Sequence, residues 1–138
     1  MSRLRAGVIG LGVGERHIHG FRKHPDCDVV ALCDIDPEKK RMAGERYPDI
    51  RFFDHAEALI RSDEVDIVCI ASFDSDHYAQ VMLSLDLGKH VFVEKPVCLN
   101  ETEFHDIRRM AARRPDLAIG SNLILRRAPR FRWLRQAI

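Results

Sequence analysis

Gly7-Val8-Ile9-Gly10-Leu11-Gly12-Val13-Gly14 is the stretch of sequence that decides the fold. The apolar run that ends at Ile9 predicts a buried strand, and residues 15–23 have helical character. Backbone N–H groups in a glycine-rich turn at the start of a helix can hold a pyrophosphate. The usual motif has its third glycine at the sixth position, where this chain has Glu15, so the last glycine comes one place early. A tight turn without a ligand is the alternative, and we expect Glu15 to point away from the turn.

Five further apolar runs follow, and segments of helical character separate them. Short continuous apolar runs of this kind are typical of parallel strands that are covered on both faces. Right-handed helical crossovers between such strands give a doubly wound sheet. We therefore predict an α/β Rossmann fold with three layers and a mostly parallel sheet. The predicted strands are residues 5–9, 28–33, 51–53, 66–71, 90–93 and 117–120.

Composition places the chain among globular proteins with an apolar core. It has 138 residues, of which 46% are hydrophobic and 31% charged, and its formal net charge is +1. This charge gives no overall field that would attract nucleic acid or an anionic membrane. No apolar run approaches the roughly 20 residues of a membrane-spanning helix, and we expect a cytoplasmic protein. The four cysteines form no C-x-x-C pair and have no histidine at metal-ligand spacing, so buried thiols are predicted rather than disulfides or a metal site.

The last segment of the sequence differs from the rest. Pro129 can begin a helix there, and five arginines make the segment locally basic. A nucleic-acid patch is one interpretation, but a solvated helix face is favoured because aromatic interleaving and a positive overall charge are both missing. We predict a dinucleotide-binding domain over residues 1–121 and the start of a crossover to a second domain over residues 122–138.

Asp34 ends the second predicted strand, about where an acidic residue binds the ribose hydroxyls of NAD. Such a carboxylate also repels the 2'-phosphate of NADP. Lys39 and Arg41 stand too far along the next helix to be expected as a phosphate clamp. NAD is therefore favoured over NADP as the cofactor. The alternative is that Asp34 is only a turn residue before the helix that begins at Pro37.

Ser72, Asp74 and His77 follow the fourth predicted strand. Ligands of doubly wound sheets bind at the carboxyl edge, so these side chains are candidates for the cofactor groove. Capping of the next helix by Asp74 or Ser75 is the structural alternative, and it is compatible with a place along the groove. A lone histidine is more often an ordinary helix residue, so no histidine is assigned as a base.

Glu94-Lys95-Pro96 comes directly after the fifth predicted strand. Pro96 fixes its own backbone and restricts Lys95 to extended geometry. This places an amine where a nicotinamide ring is expected, and a lysine there can hydrogen-bond the hydroxyl that is oxidised. A surface lysine paired with Glu94 is the alternative. The glycine turn and this lysine together indicate hydride transfer, with Lys95 as the candidate catalytic residue.

These motifs resemble those of the Gfo/Idh/MocA family, which includes glucose-fructose oxidoreductase and inositol dehydrogenase. The similarity covers essentially the whole chain, and its most specific segment is Gly88-Lys89-His90-Val91-Phe92-Val93-Glu94-Lys95-Pro96. The resemblance implies an NAD(P)-dependent oxidoreductase that acts on a hydroxyl carbon of a sugar, polyol or sugar derivative. It also implies that Lys95 contacts nicotinamide and substrate, with Glu94 and Asn122 near the nicotinamide ribose. The candidate cofactor-binding residues are Gly10, Gly12, Val13, Gly14, Asp34, Ser72, Asp74, His77, Glu94, Lys95 and Asn122.

Members of that family are more than twice as long as this chain, with a second domain that supplies the substrate pocket, the base and the oligomer interface. The resemblance therefore implies a homo-oligomeric full-length protein, a sugar or polyol bound through the further domain, and no turnover by the present chain alone. A non-catalytic NAD-sensing or scaffold protein is the leading alternative, and a small nucleic-acid-binding domain is another. A sensor needs no lysine at the nicotinamide end, so Lys95 favours the enzyme.

Overall fold

Six strands alternate with helices along the chain in the computed structural model, which describes residues 3–137. Met1, Ser2 and Ile138 lie outside the described residues. The strands are β1 (Leu4–Ile9), β2 (Cys27–Cys33), β3 (Arg51–Phe53), β4 (Ile67–Ile70), β5 (His90–Val93) and β6 (Ile119–Ser121). The helices are α1 (Gly14–Lys23), α2 (Pro37–Arg46), α3 (Ala56–Ile60), α4 (Asp74–Asp86), α5 (Glu101–Arg113) and α6 (Pro129–Ala137), with a 3₁₀ turn over Ile124–Arg126.

The six strands form one parallel sheet in the order β3-β2-β1-β4-β5-β6. From β1, the sheet extends through β2 to β3 on one side and through β4 and β5 to β6 on the other. Strand order therefore reverses between β1 and β4, and a crevice opens at the carboxyl ends of these two strands. The predicted doubly wound Rossmann fold is confirmed.

Two apolar clusters cover the two faces of the sheet. On one face, Leu59 of α3, Val81 of α4 and Ile107 of α5 belong to one cluster with the strands. On the other face, Ile18 of α1 and Ala43 of α2 belong to the second cluster. The chain thus has the predicted three layers, with helices on both sides of a sheet whose strands carry continuous apolar runs.

Helix α2 begins where the sequence predicts it. Asp36 precedes the helix, and its side chain accepts hydrogen bonds from the backbone N–H groups of Glu38 at 2.9 Å and Lys39 at 3.4 Å. Pro37 occupies the first helical position, where no N–H is needed. In the same way, the Asn100 side chain accepts a bond of 3.0 Å from a backbone N–H in the first turn of α5.

Two predictions of local structure are wrong. Neither Asp74 nor Ser75 caps α4, because Phe73 occupies the cap position and the aspartate is already the first helical residue. Strand β6 was expected from Leu117 and begins two residues later. The N–H of Leu117 instead donates to the Arg114 carbonyl oxygen at 3.0 Å, which closes a turn after α5.

The last helix, α6, carries exposed side chains along its described length. Trp133 is 67% exposed. A hollow of 520 Å³ lies between Leu125 and α6, and its lining shares no residue with the glycine turn or with the end of β5. Among the described helices, none has the length and apolar character that crossing a membrane requires.

Candidate functional site

The glycine-rich turn joins β1 to α1 at the carboxyl edge of the sheet. Gly10 has a φ of +84°, and a Cβ on it would stand 2.2 Å from the Ala71 carbonyl oxygen, so only glycine fits. A Cβ on Gly14 would stand 3.1 Å from both the Ala71 Cβ and the Val8 Cγ1. The third glycine of the usual motif allows close packing of helix on strand. Gly14 allows the same packing one place earlier.

The middle of the turn is open. The backbone N–H groups of Gly12 and Val13 have no hydrogen-bond acceptor among the described residues. Apart from its chain neighbours, the one described group within 4 Å of a Cβ placed on Gly12 is the Lys39 ammonium at 3.7 Å. Unpaired N–H groups at the positive end of a helix can bind an anion, and α1 presents two such groups here. The Glu15 carboxylate turns away from this site and pairs with Arg46, which confirms the predicted direction.

Asp34 holds the glycine turn and the turn before α2 together. Its side chain is 6% exposed. Its Oδ2 accepts a hydrogen bond of 2.6 Å from the Leu11 N–H, and its Oδ1 accepts one of 2.8 Å from the Asp36 N–H. Asp34 therefore acts as a turn residue in the structure. Each carboxylate oxygen keeps a second lone pair, so the same group can also accept hydrogen bonds from hydroxyl groups of a ligand.

Lys39 reaches this site, and the expectation that it stands too far along α2 is wrong. Its Nζ lies 4.0 Å from the Asp34 Oδ2 and close to Gly12. The long side chain reaches back from the first turn of the helix to the end of β2. Arg41 stays on the outer surface, where it pairs with Glu38. A cation beside Asp34 weakens the field with which this carboxylate would repel a phosphate.

A cavity of 410 Å³ extends from the glycine turn to the loop after β4. Ile35 and Phe73 line it and are 73% and 67% exposed. Two large exposed apolar side chains beside polar groups suit a flat aromatic ring. Ser72 also lines the cavity, and its hydroxyl donates to the Gln80 Oε1 at 2.8 Å. Asp74 is exposed at the start of α4 and does not line this cavity.

Glu94 lies at the end of β5 and is 8% exposed. Its Oε1 accepts a hydrogen bond of 2.7 Å from the Asn122 Nδ2 and lies 2.7 Å from the His17 Nε2. Burial acts to raise the pKa of Glu94, but the hydrogen bonds from His17 and Asn122 outweigh it and hold this pKa below its ordinary value. The carboxylate therefore bonds to a residue of α1 and to the residue that follows β6. The alternative in which Glu94 pairs with the Lys95 ammonium is wrong.

Lys95 follows directly and is exposed. Its ammonium forms no ion pair within residues 3–137, and its backbone N–H donates to the Glu94 Oε2 at 3.3 Å. The peptide bond between Lys95 and Pro96 is cis. His77 lies beneath this segment with no exposed surface, and its Nδ1 is 2.7 Å from the Pro96 carbonyl oxygen.

Several residues of the site were not predicted from the sequence. His17 gave no signal beyond its place on α1, because its contact with Glu94 joins residues far apart in the chain. Ile35 and Phe73 could have been found, since each directly follows a candidate residue or a strand end at the carboxyl edge. Lys39 was expected to lie too far along α2 to reach the site beside Asp34.

The thiols and the metal-ligating residues add no further site. All four cysteines are free. Cys27, Cys33 and Cys69 are buried, which confirms the prediction of buried thiols for these three, whereas Cys98 is half-buried. Burial raises the pKa of Cys33 to about 11 and that of Cys69 to about 12. Within the described part of the chain, no three His, Cys, Asp or Glu side chains come together in a way that could hold a metal ion.

Comparison with known proteins identifies related sequences. The family described as "Oxidoreductase family, NAD-binding Rossmann fold" matches residues 4–120. D-apiose dehydrogenase of Paraburkholderia graminis is 32% identical over 113 residues, which are 81% of this chain and 29% of that protein. Inositol 2-dehydrogenase of Burkholderia multivorans is 37% identical over 99 residues, which are 70% of this chain and 29% of that protein. The chain thus spans less than a third of the length of these relatives.

A solved structure shares the fold. Scyllo-inositol dehydrogenase from Lactobacillus casei, with bound cofactor NAD(H) and scyllo-inositol, superposes with a TM-score of 0.87. The match covers 98% of this chain and 40% of that one, at 23% sequence identity. At this identity the likeness establishes the fold alone.

Proposed function

Since the chain belongs to the Gfo/Idh/MocA oxidoreductase family, we propose that it is the NAD-binding domain of an enzyme that oxidises or reduces a hydroxyl carbon of a sugar, polyol or sugar derivative. The observation that carries the proposal is the pairing of two features at one sheet edge. An open glycine turn lies at the end of β1, and Lys95 lies at the end of β5. Relatives whose names are sugar and inositol dehydrogenases support the substrate class.

The described residues fit an NAD molecule laid across the crevice. The free N–H groups of Gly12 and Val13 would hold the pyrophosphate, with Gly10 and Gly14 shaping the turn. Asp34 would accept hydrogen bonds from the adenosine ribose. The adenine would lie at the cavity edge beside the apolar pair Ile35 and Phe73, with Ser72 in the loop after β4 and Asp74 at the start of α4, outside the cavity.

When bound, NAD would accept a hydride from the reacting carbon, and the Lys95 side chain would take the proton of the reacting hydroxyl. An ammonium donates to that oxygen, and the amine form accepts its proton, so one side chain serves reduction and oxidation. Glu94 and Asn122 belong to the same end of the site. Their side chains hold each other through a bond of 2.7 Å, and we place this pair next to the nicotinamide ribose.

A second surface is needed for turnover. Lys95 is exposed, so residues 3–137 do not enclose a substrate or exclude water around the amine. We propose that residues 1–121 form the dinucleotide-binding domain and that residues 122–138 begin the crossover to a substrate-binding domain. The complete protein would be a cytoplasmic homo-oligomer. The chain studied alone would bind NAD without turning over a substrate.

Calorimetric titration of the chain with NAD and NADP tests the cofactor site. We expect NAD to bind more tightly than NADP, and the variant Asp34→Ala to bind NAD more weakly. Absence of binding by a folded chain would contradict the proposal that this domain suffices for the cofactor.

The variant Lys95→Met tests the proposed catalytic role in the two-domain protein. We expect kcat for NADH formation from a polyol to fall by roughly 10²-fold, the size of a lost general acid or base, with NAD affinity unchanged. An unchanged kcat would remove Lys95 from the mechanism. NAD-dependent binding of another protein, with no turnover in the complete protein, would favour the sensor instead.

A further inference from the structure

His77 lies between two loops at the carboxyl edge of the sheet. It sits in the first turn of α4 and has no exposed surface. Its Nδ1 is 2.7 Å from the Pro96 carbonyl oxygen, and its Nε2 is 3.3 Å from the Ser72 carbonyl oxygen. The ring therefore connects the loop after β4 with the loop after β5. Because the ring is fully buried, it has no surface for contact with a dinucleotide.

The two contacts assign the proton on the ring. A carbonyl oxygen only accepts hydrogen bonds, and a neutral imidazole has a single N–H. At 2.7 Å, an unprotonated Nδ1 would place its lone pair against the lone pairs of the Pro96 oxygen. The proton must therefore lie on Nδ1, which donates to Pro96. The longer contact with Ser72 does not require a proton.

Lys95 lies between two anchored neighbours. Glu94 is held by His17 and Asn122, and Pro96 is held by His77. The lysine between them is exposed, so only its backbone is fixed by the described residues. A catalytic group that is misplaced by 1 Å can lose about 10²-fold in rate, so the position of this backbone matters for the amine.

We propose that His77 is a positioning residue for Lys95, because the hydrogen bond from its Nδ1–H to the Pro96 carbonyl oxygen fixes the backbone of Lys95 beside the cofactor groove. This inference rests on the proposed function only in giving Lys95 a chemical role. The hydrogen bond itself is a property of the chain, so it is tested without cofactor.

The proton on His77 is measured first, by long-range ¹H–¹⁵N correlation NMR of the 138-residue chain. We expect the ring proton on Nδ1. A proton carried only by Nε2 would overturn the proposal, because the ring would then donate to Ser72 and not to Pro96.

Two variants then separate positioning from packing. His77→Asn keeps an amide donor near the place of Nδ1, whereas His77→Leu fills the space with no donor. We expect hydrogen exchange of the Lys95 amide to become about tenfold faster in His77→Leu, the size of one lost hydrogen bond, and to stay within about twofold of wild type in His77→Asn. Equal exchange rates in all three chains would overturn the proposal.

A further variant and an NAD titration distinguish a failure of the His77 proposal from a failure of the proposed function. If His77→Leu does not fold, His77→Gln replaces it, because the longer side chain carries its amide nearer to the place of Nε2 and so reaches Ser72 rather than Pro96. NAD titration of the wild-type chain is run in parallel. Failure to bind NAD would count against the proposed function, whereas the proton position and the exchange rates decide about His77.

Discussion

Alanine substitutions at three glycines should separate folding from cofactor binding. A Cβ on Gly12 meets only the end of the flexible Lys39 side chain at 3.7 Å, and its φ lies outside the left-handed region. We therefore expect Gly12→Ala to leave the free energy of unfolding unchanged or to raise it by about 0.4–1 kcal/mol. The added methyl group occupies the space through which a pyrophosphate would approach the turn. Loss of one charge-assisted hydrogen bond, about 1.5–3 kcal/mol, would weaken NAD binding by roughly 10- to 150-fold.

Two control variants define the opposite cases. In Gly10→Ala, the left-handed backbone costs about 1–2 kcal/mol, and the contact of 2.2 Å with the Ala71 oxygen adds an overpacking cost of about 1–3 kcal/mol. We expect this variant to lose stability and binding together. Gly44 lies within α2, and apart from its chain neighbours and the backbone of that helix no described residue has an atom within 4 Å of a Cβ placed on it. Gly44→Ala should gain about 1 kcal/mol of stability and bind NAD normally.

Urea unfolding and calorimetric titration with NAD on the same preparations measure both quantities. We predict a stable Gly12→Ala protein that binds NAD poorly. If Gly12→Ala binds NAD as tightly as Gly44→Ala does, the free N–H groups of the turn do not hold the pyrophosphate, and the assignment of this turn is refuted.

Three further predictions concern charged groups of the site. Asp34→Asn should weaken NAD binding by about 10- to 100-fold through the loss of charge-assisted hydrogen bonds, and NADP binding by less. Titration with both ligands measures the two affinities, and equal losses would contradict a contact between Asp34 and the ribose. Lys39→Ala should weaken NADP binding more than NAD binding, because its ammonium lies beside Asp34. The neighbouring Lys40→Ala, which removes an ion pair on the outer surface, should change neither affinity. Because the pKa of Glu94 is lowered in the folded chain, its carboxylate stabilises the fold above its ordinary pKa and loses this effect as pH falls through the folded value. The stability cost of Glu94→Gln in urea should therefore be largest near pH 7 and shrink below about pH 4; a cost that does not change with pH would contradict the bonds assigned to the carboxylate.

The fold could be predicted because each of its signals is local. The apolar run that ends at Ile9 and the cap Asp36 act over a few residues, and neighbours in the sequence decide their structure. The start of β6 could not be placed by the same reasoning. Leu117 is as apolar as a strand residue, but its N–H is already bonded to Arg114 in the turn after α5.

The site was harder to predict because side chains reach across elements. Lys39 is five residues beyond Asp34 in the sequence, yet its ammonium returns to that carboxylate because α2 starts beside the end of β2. His17 and Glu94 are 77 residues apart and meet only when α1 packs on the sheet. Sequence spacing measures neither of these distances.

The early third glycine and the histidine that contacts Glu94 lie on the same side of α1. An α-helix turns by about 100° per residue, so residues three and four places after Gly14 lie near the face of α1 that carries this glycine. With Gly14 against the sheet, Ile18 lies one turn further on the same face and is fully buried. His17, three residues after the glycine, lies at the flank of that face, with its ring centroid 5.1 Å from that of Phe92 on β5. Gly14, Ile18 and His17 thus lie on the side of α1 that faces the sheet, with His17 in reach of Glu94, while Glu15 turns away from the glycine turn.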